Sequence, residues 1–189
     1  KVQAKSGGSY VVADDGSTDD TLALGREIAV DHPATSLVVL GPQASPLGGA
    51  GNFARAIAAT RGDLIALSDQ DDRWHPGRLA ALRVRSESEP DVPLIPHDAA
   101  LIDGVGLPLG STLLNWLRVG TRERRLLTSA DAFAASIRRN AATGATVVFR
   151  RELAELAGPI GGGVSYKERV PRKTRALRRA LAGERVCGG

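Results

Sequence analysis

Asp63-Leu-Ile-Ala-Leu-Ser-Asp-Gln-Asp-Asp-Arg-Trp-His-Pro76 sets an apolar run, three close carboxylates and a helix start within fourteen positions. Leu64 to Leu67 has no polar alternation, which predicts a strand buried on both faces, as in a parallel sheet covered by helices. Pro76 suits the first turn of a following helix, where its missing N–H has no partner to lose. Asp69, Asp71 and Asp72 then fall at the carboxyl end of the strand, the rim of an open α/β sheet where ligands bind. Carboxylates crowded in this way repel one another unless a cation or a hydrogen-bond network holds them. Mg²⁺ or Mn²⁺ takes oxygen ligands and is held by one or two carboxylates while substrate phosphates complete its shell. The alternative is a solvated acidic turn that caps the next helix. An EF-hand loop is excluded, because the sixth position counted from Asp69 is Trp74 where that loop needs glycine.

Outward from this stretch the chain alternates strand and helix. Tyr10 to Ala13 predicts a strand that runs into Asp14-Asp15-Gly16-Ser17-Thr18-Asp19-Asp20. Ser17 and Asp20 have capping-box spacing, and the helix after them extends to Val30 with Leu22, Ile28 and Ala29 inward. Ser36 to Leu40 is the next strand. Asn52 is then read as the cap of a helix that turns Phe53, Ile57 and Ala58 to one face and stops at Gly62. Pro76 opens a helix carrying Leu79 and Leu82, and Val92 to Pro96 reads as an edge strand interrupted by Pro93. Beyond it lie a turn and strand remnant over 101–109, a helix or lid-like loop over 111–119, and a helix over 131–139. A turn at 140–144, a strand at 146–149 and a short helix at 151–157 complete the pattern. Strands alternating with helices of this length indicate an α/β fold with a mostly parallel sheet sandwiched by helices.

The 189 residues suffice for one domain with a sizeable core, read as residues 1–163, followed by a basic tail over 164–189. That tail carries eight Lys or Arg against two Glu. With +4 on the whole chain and +6 on the tail, the rest carries −2. The high isoelectric point therefore belongs to the tail, and with aromatics at only 4% it gives no nucleic-acid partner. Arg172 to Leu181 can form a helix with Ala176, Leu177, Ala180 and Leu181 on one side. It reads either as a solvated tail or as a helix at an anionic membrane surface. The single Cys187 permits no disulfide within the chain, and a reducing, cytoplasmic location is the expectation.

Two stretches together carry a resemblance: Val11-Val12-Ala13-Asp14-Asp15-Gly16-Ser17-Thr18-Asp19-Asp20-Thr21, and Gly51-Asn52-Phe53-Ala54-Arg55 through Ser68-Asp69-Gln70-Asp71-Asp72-Arg73-Trp74. In this order they resemble the inverting family-2 glycosyltransferases of the GT-A fold, most of all the bacterial rhamnosyltransferase-type members. His97-Asp98-Ala99 with Leu101-Ile102-Asp103, and Asn140 to Thr146, are similar to later family segments. The resemblance covers residues 9 to 160 and implies a nucleotide-diphospho-sugar donor and a glycan or lipid-linked acceptor in cell-surface polysaccharide or glycolipid synthesis. It places Asp14 or Asp15 on the nucleoside and Asp69 and Asp71 on the metal, with Asp71 the direct ligand. Asn52 is placed in the donor site. Asp72 is left between a sugar contact and a helix cap, and Asp98 between the donor sugar and a turn. Asn140 and Thr143 are read as turn formers before acceptor contacts, and His32 and His75 as surface residues.

The chain also departs from the family pattern. At most nine residues precede the Asp-Asp-Gly-Ser strand, where members have an opening strand, loop and helix. Gly161-Gly162-Gly163 and the basic tail stand where members carry an acidic catalytic base. No catalytic residue is assigned. The expectation is a truncated or internally deleted enzyme with weak or absent transfer, the alternative being a module that binds nucleotide or metal without turnover. A haloacid-dehalogenase-type phosphohydrolase would need Asp where Ser17 stands, and a nucleotidyltransferase would need a Gly-rich basic loop near the amino end.

Overall fold

A computed structural model of the chain describes residues 9–31, 36–127, 129 and 146–157. The backbone groups into two compact units, one built on residues up to Ile65 together with those from Ala154 onward, the other on Ala66 to Leu153.

In the first unit β1 (Ser9–Ala13) pairs in parallel with β2 (Ser36–Leu40), in register from Ser9↔Ser36 to Ala13↔Leu40. A parallel pair needs a crossover, supplied by α1 (Thr21–Asp31), which packs on β2, while α2 (Gly48–Ala59) packs on β1. The capping box is not formed. The Asp19 carboxylate caps the entry to α1 instead, accepting the Thr21 N–H at 3.1 Å and the Thr21 hydroxyl at 2.5 Å. Ile28 and Ala58, expected to face inward, are exposed. Asn52 is no cap either: α2 begins four residues earlier, leaving Asn52 in its second turn.

The chain enters the second unit through β3 (Leu64–Ala66), where Ile65 is 3% exposed but Leu64 and Ala66 are only half-buried, so the strand is not buried on both faces as the apolar run predicts. The next helix, α3, spans Arg78–Ser88. Pro76 thus precedes its N-cap, Gly77, and of the two leucines only Leu82 is buried, Leu79 being 41% exposed. β4 (Leu94–Pro96) and β7 (Val147–Arg150) pair antiparallel, Leu94 opposite Phe149 and Ile95 opposite Val148, in a sheet of order β3-β7-β4. The α/β class holds, with mixed pairing in place of the mostly parallel sheet. β7 does not follow β4 through a single helical crossover, so nothing forces the two to run parallel.

The expected turn and strand remnant after β4 is a hairpin, β5 (Ala100–Ile102) against β6 (Pro108–Thr112), with an irregularity in register between its two paired positions. α4 (Leu113–Trp116) follows directly, capped by the Thr112 side chain. α5 (Thr121–Leu127), unexpected from the sequence, buries Leu127 against Leu114 and Val119. α6 (Arg151–Ala157) lies where the sequence placed it. Leu82, Leu94, Ile95, Val147, Val148, Phe149 and Leu153 are the other buried apolar residues of this unit. Arg150 draws α3 to this sheet: its Nη2 donates to the Ser86 carbonyl at 2.7 Å and its Nε to that of Val92 at 3.3 Å. A cation is favoured there by the carbonyl end of the α3 dipole. Asp131 to Gly144, with Asn140 and Thr143, His32 and the 164–189 tail lie outside the described residues.

Candidate functional site

Two acidic stretches, one in each unit, carry the sequence-predicted residues. In the first, β1 ends at Ala13 and delivers Asp14, 4% exposed, at its carboxyl end. The Asp14 carboxylate accepts the Gly16 N–H at 3.0 Å and the Ser17 N–H at 3.1 Å, closing a turn that Gly16 permits with φ +114°. Hydrogen bonding to the Ser17 side chain and to the Gly16 N–H, with help from the Arg55 charge, holds this carboxyl below the usual carboxylate range against the opposing pull of burial. Asp15 reaches forward to α2, its Oδ1 accepting the Leu47 N–H at 2.8 Å and its Oδ2 the Gly48 N–H at 2.7 Å. It thereby places a negative charge on an N-terminus that has no side-chain cap of its own. Asn52 Nδ2 donates to the Ala13 carbonyl at 2.7 Å, and Arg55 donates to the carbonyls of Asp14 and Gly41. The Asn52 Oδ1 is buried and accepts no hydrogen bond among the described residues. The first stretch is thus pinned to the backbone around it.

The second stretch follows β3. The Asp72 N–H closes a turn on the Asp69 carbonyl at 3.3 Å. Asp71 and Asp72 are exposed and Asp69 half-buried. Partial burial, and then the charges of Asp72 and Asp71, push the Asp69 carboxyl above its ordinary value. Among the described residues no hydrogen bond or ion pair engages the side chains of these three acids, and no group of three or more His, Cys, Asp or Glu side chains could hold a metal ion. The donor set is therefore not an all-protein cage. A hard cation at Asp69 and Asp71 would need ligand phosphates and water to complete its shell.

Arg78, which the motif reading did not single out, stands beside this turn. The Arg78 guanidinium lies over the Trp74 ring, 4.0 Å from its centroid; Trp74 precedes α3 and Arg78 opens it, so helical periodicity does not announce the pair. Burial lowers the Arg78 pKa, and the Asp72 charge opposes that shift. Asp72 does not cap α3, whose N-cap, Gly77, has no side-chain partner. His97 at the end of β4 is brought down to about 4 by burial first and by the Arg78 charge second, so its imidazole is neutral at pH 7. The Nδ1 of His97 and the Nε1 of Trp74 are buried without a hydrogen-bond partner among the described residues. Asp98 organises the unit. Its Oδ1 accepts the Ala99 N–H at 2.9 Å and the Leu114 N–H at 3.0 Å, and its Oδ2 pairs with Arg124 at 3.4 Å. Burial raises its pKa, and the Leu114, Thr112, Ala99 and Arg124 contacts together bring it below the ordinary value.

The family model for glycosyl transferase family 2 matches residues 9–156, from the first strand through α6, and the chain belongs to that family. It is also similar to the dTDP-rhamnosyl transferase RfbG of Shigella flexneri, 37% identical over 75 residues, which is 38% of this chain and 25% of that protein. The chain thus aligns with a quarter of that curated relative's length. Family membership implies the GT-A nucleotide-sugar transferase fold, in keeping with the α/β architecture and its mixed sheets. Among the described residues no helix is long and apolar enough to cross a membrane.

Proposed function

We propose that the chain transfers a sugar, of the rhamnose class, from a nucleotide-diphospho-sugar to a hydroxyl on a glycan or lipid-linked acceptor in cell-surface polysaccharide or glycolipid synthesis. The observation that carries this reading is the acidic turn after β3 in a chain of the glycosyl transferase family 2. No hydrogen bond or ion pair engages its carboxylates among the described residues, and partial burial, then the charges of Asp72 and Asp71, raise Asp69. The dTDP-rhamnosyl transferase relative supports the choice of sugar and nucleotide.

Asp69 and Asp71 are the residues that would hold Mg²⁺ or Mn²⁺. Such a cation would neutralise the departing diphosphate as a Lewis acid. Asp14 and Asp15 hold the end of β1 and the start of α2 in fixed positions, which preorganises the backbone for the nucleoside; Asn52 braces the same strand. Asp72, beside the cationic Arg78, is suited to hydrogen-bond a sugar hydroxyl. Asp98 serves by shaping the hairpin and α4. Membrane-surface contact is assigned to the basic tail.

A second reading, binding without turnover, is favoured by Gly161-Gly162-Gly163 and the basic tail, which stand where the resemblance places an acid to deprotonate the acceptor hydroxyl. Thermal melting with Mn²⁺ plus dTDP, and release of labelled sugar from dTDP-rhamnose, separate the two. A cation-dependent rise in Tm with sugar release supports transfer, and a rise without release supports binding alone. No rise in Tm and no release overturns both.

A further inference from the structure

Arg73 follows Asp72 directly and stands two residues from Asp71, so its guanidinium is close enough along the chain to fold back on either carboxylate. An intramolecular cation seated there would compete with a divalent ion. Among the described residues Arg73 forms no ion pair with Asp71 or Asp72. Its guanidinium lies instead against the turn of the β5–β6 hairpin, occupying the place where a Cβ on Gly106 would stand; that Cβ would be 2.5 Å from Cζ and 2.7 Å from Nη2. Gly106 also has φ +90°, a backbone region that disfavours any side chain.

The turn beneath the guanidinium is tightly closed. The Asp103 Oδ1 accepts the Val105 N–H at 3.0 Å and the Leu107 N–H at 2.8 Å. The Gly106 N–H donates to the Asp103 carbonyl, and the Asp103 N–H to the Leu107 carbonyl, both at 2.9 Å. Its carboxyl is held below the ordinary range by the Leu107 N–H first, then by the Val105 and Gly106 N–H groups and the Arg73 charge, against burial.

From this placement we infer that the hairpin turn Asp103–Leu107 is a seat for Arg73. It draws the guanidinium away from Asp71 and Asp72 and leaves them open to a cation and a diphosphate. Asp103 and Gly106 are positioning residues in this scheme: Gly106 supplies the space and Asp103 the opposing charge. The inference rests on the donor-site reading proposed above.

Calorimetric titration of the full chain with dTDP in the presence of Mn²⁺ tests it without recourse to turnover. Gly106→Ala, which expels the guanidinium from its seat, weakens binding about threefold, the scale of an exposed ion pair. Asp103→Asn keeps an acceptor oxygen for the turn while removing the charge, and weakens binding in the same way. This second variant covers the case in which Gly106→Ala disrupts the hairpin. Adding Arg73→Ala to either variant restores the parent affinity, which a merely structural role for the turn would not produce. Unchanged affinity in Asp103→Asn, or no rescue by Arg73→Ala, overturns the inference. Failure of the parent chain to bind dTDP with Mn²⁺ removes the donor site itself and the seat with it, and that outcome is visible before any variant is made.

Discussion

Asp14-Asp15 and Asp69-Gln70-Asp71-Asp72 each end an apolar strand with clustered acids, and their surroundings treat them in opposite ways. In the first unit both carboxylates are committed to backbone N–H groups, and among the described residues Asp14 is the most buried there apart from Ile65 at its boundary. In the second unit the acids stand without partners among the described residues, on a scaffold with a true apolar core. The comparison separates two uses of one residue type. A carboxylate whose oxygens are met by backbone donors gains stability by staying ionised, and it holds the chain together. A carboxylate half-buried beside like charges, as Asp69 is, costs stability when ionised. The support comes from elsewhere: from Ile95 and Val148, paired across β4 and β7 and each 2% exposed, and from Arg150 bridging α3 to the sheet.

The largest effect tests the support. Ile95→Ala, at a position 2% exposed, is expected to destabilise by about 3 kcal/mol in denaturant unfolding. The half-buried Ile57→Ala in α2 should lose clearly less, and equal losses would erase the contrast in burial between the two positions. Next comes the open acid itself. Asp71→Ala should weaken Mn²⁺-dependent dTDP binding by about tenfold or more while Tm moves by no more than about 2 °C, as for an exposed residue. A large fall in Tm with binding retained would make Asp71 a structural acid like Asp14. Asp15→Ala should do the reverse, costing about 1 kcal/mol of stability through the lost cap on α2. Urea unfolding measures it, and no loss would mean that α2 starts without help from β1.

The smallest effect is a slope. His97 has its folded-state pKa lowered from the ordinary 6.5 to about 4, so between those values the unfolded chain binds a proton that the native state refuses. Stability therefore falls as pH drops from 6.5 towards 4, with no further loss from this group below that. His97→Gln should flatten this part of the Tm-against-pH curve, and an unchanged slope would show that the imidazole is not buried beside Arg78 as described.

Much of the fold was legible because it is written in local periodicity. β2 and α6 fall on the residues the pattern marked, and β1, β3 and β7 within a residue or so of them. The start of α2 was not legible. Its glycines at 48, 49 and 51 have low helix propensity, and the helix runs through them with its N-terminus capped by Asp15, 32 residues earlier than Leu47. The β5–β6 hairpin was read as a remnant because Gly104, Gly106 and Pro108 look like breakers. The Asp103 side chain turns them into an ordered reversal instead. α5 escaped notice because Thr121 to Arg125 is nearly all polar, and it is anchored by Leu127 and by Arg124 to Asp98.

By itself the sequence determined the α/β class and the positions of most strands and helices, since apolar period and motif spacing are properties of neighbouring residues. Only the tertiary structure decided which acids are spent on the backbone and which are left open. That depends on donors and charges brought in from distant positions: Leu47 and Gly48 to Asp15, and Leu114 and Arg124 to Asp98. Electrostatic fate is set by what surrounds a group in space, and chain order records only a part of those surroundings.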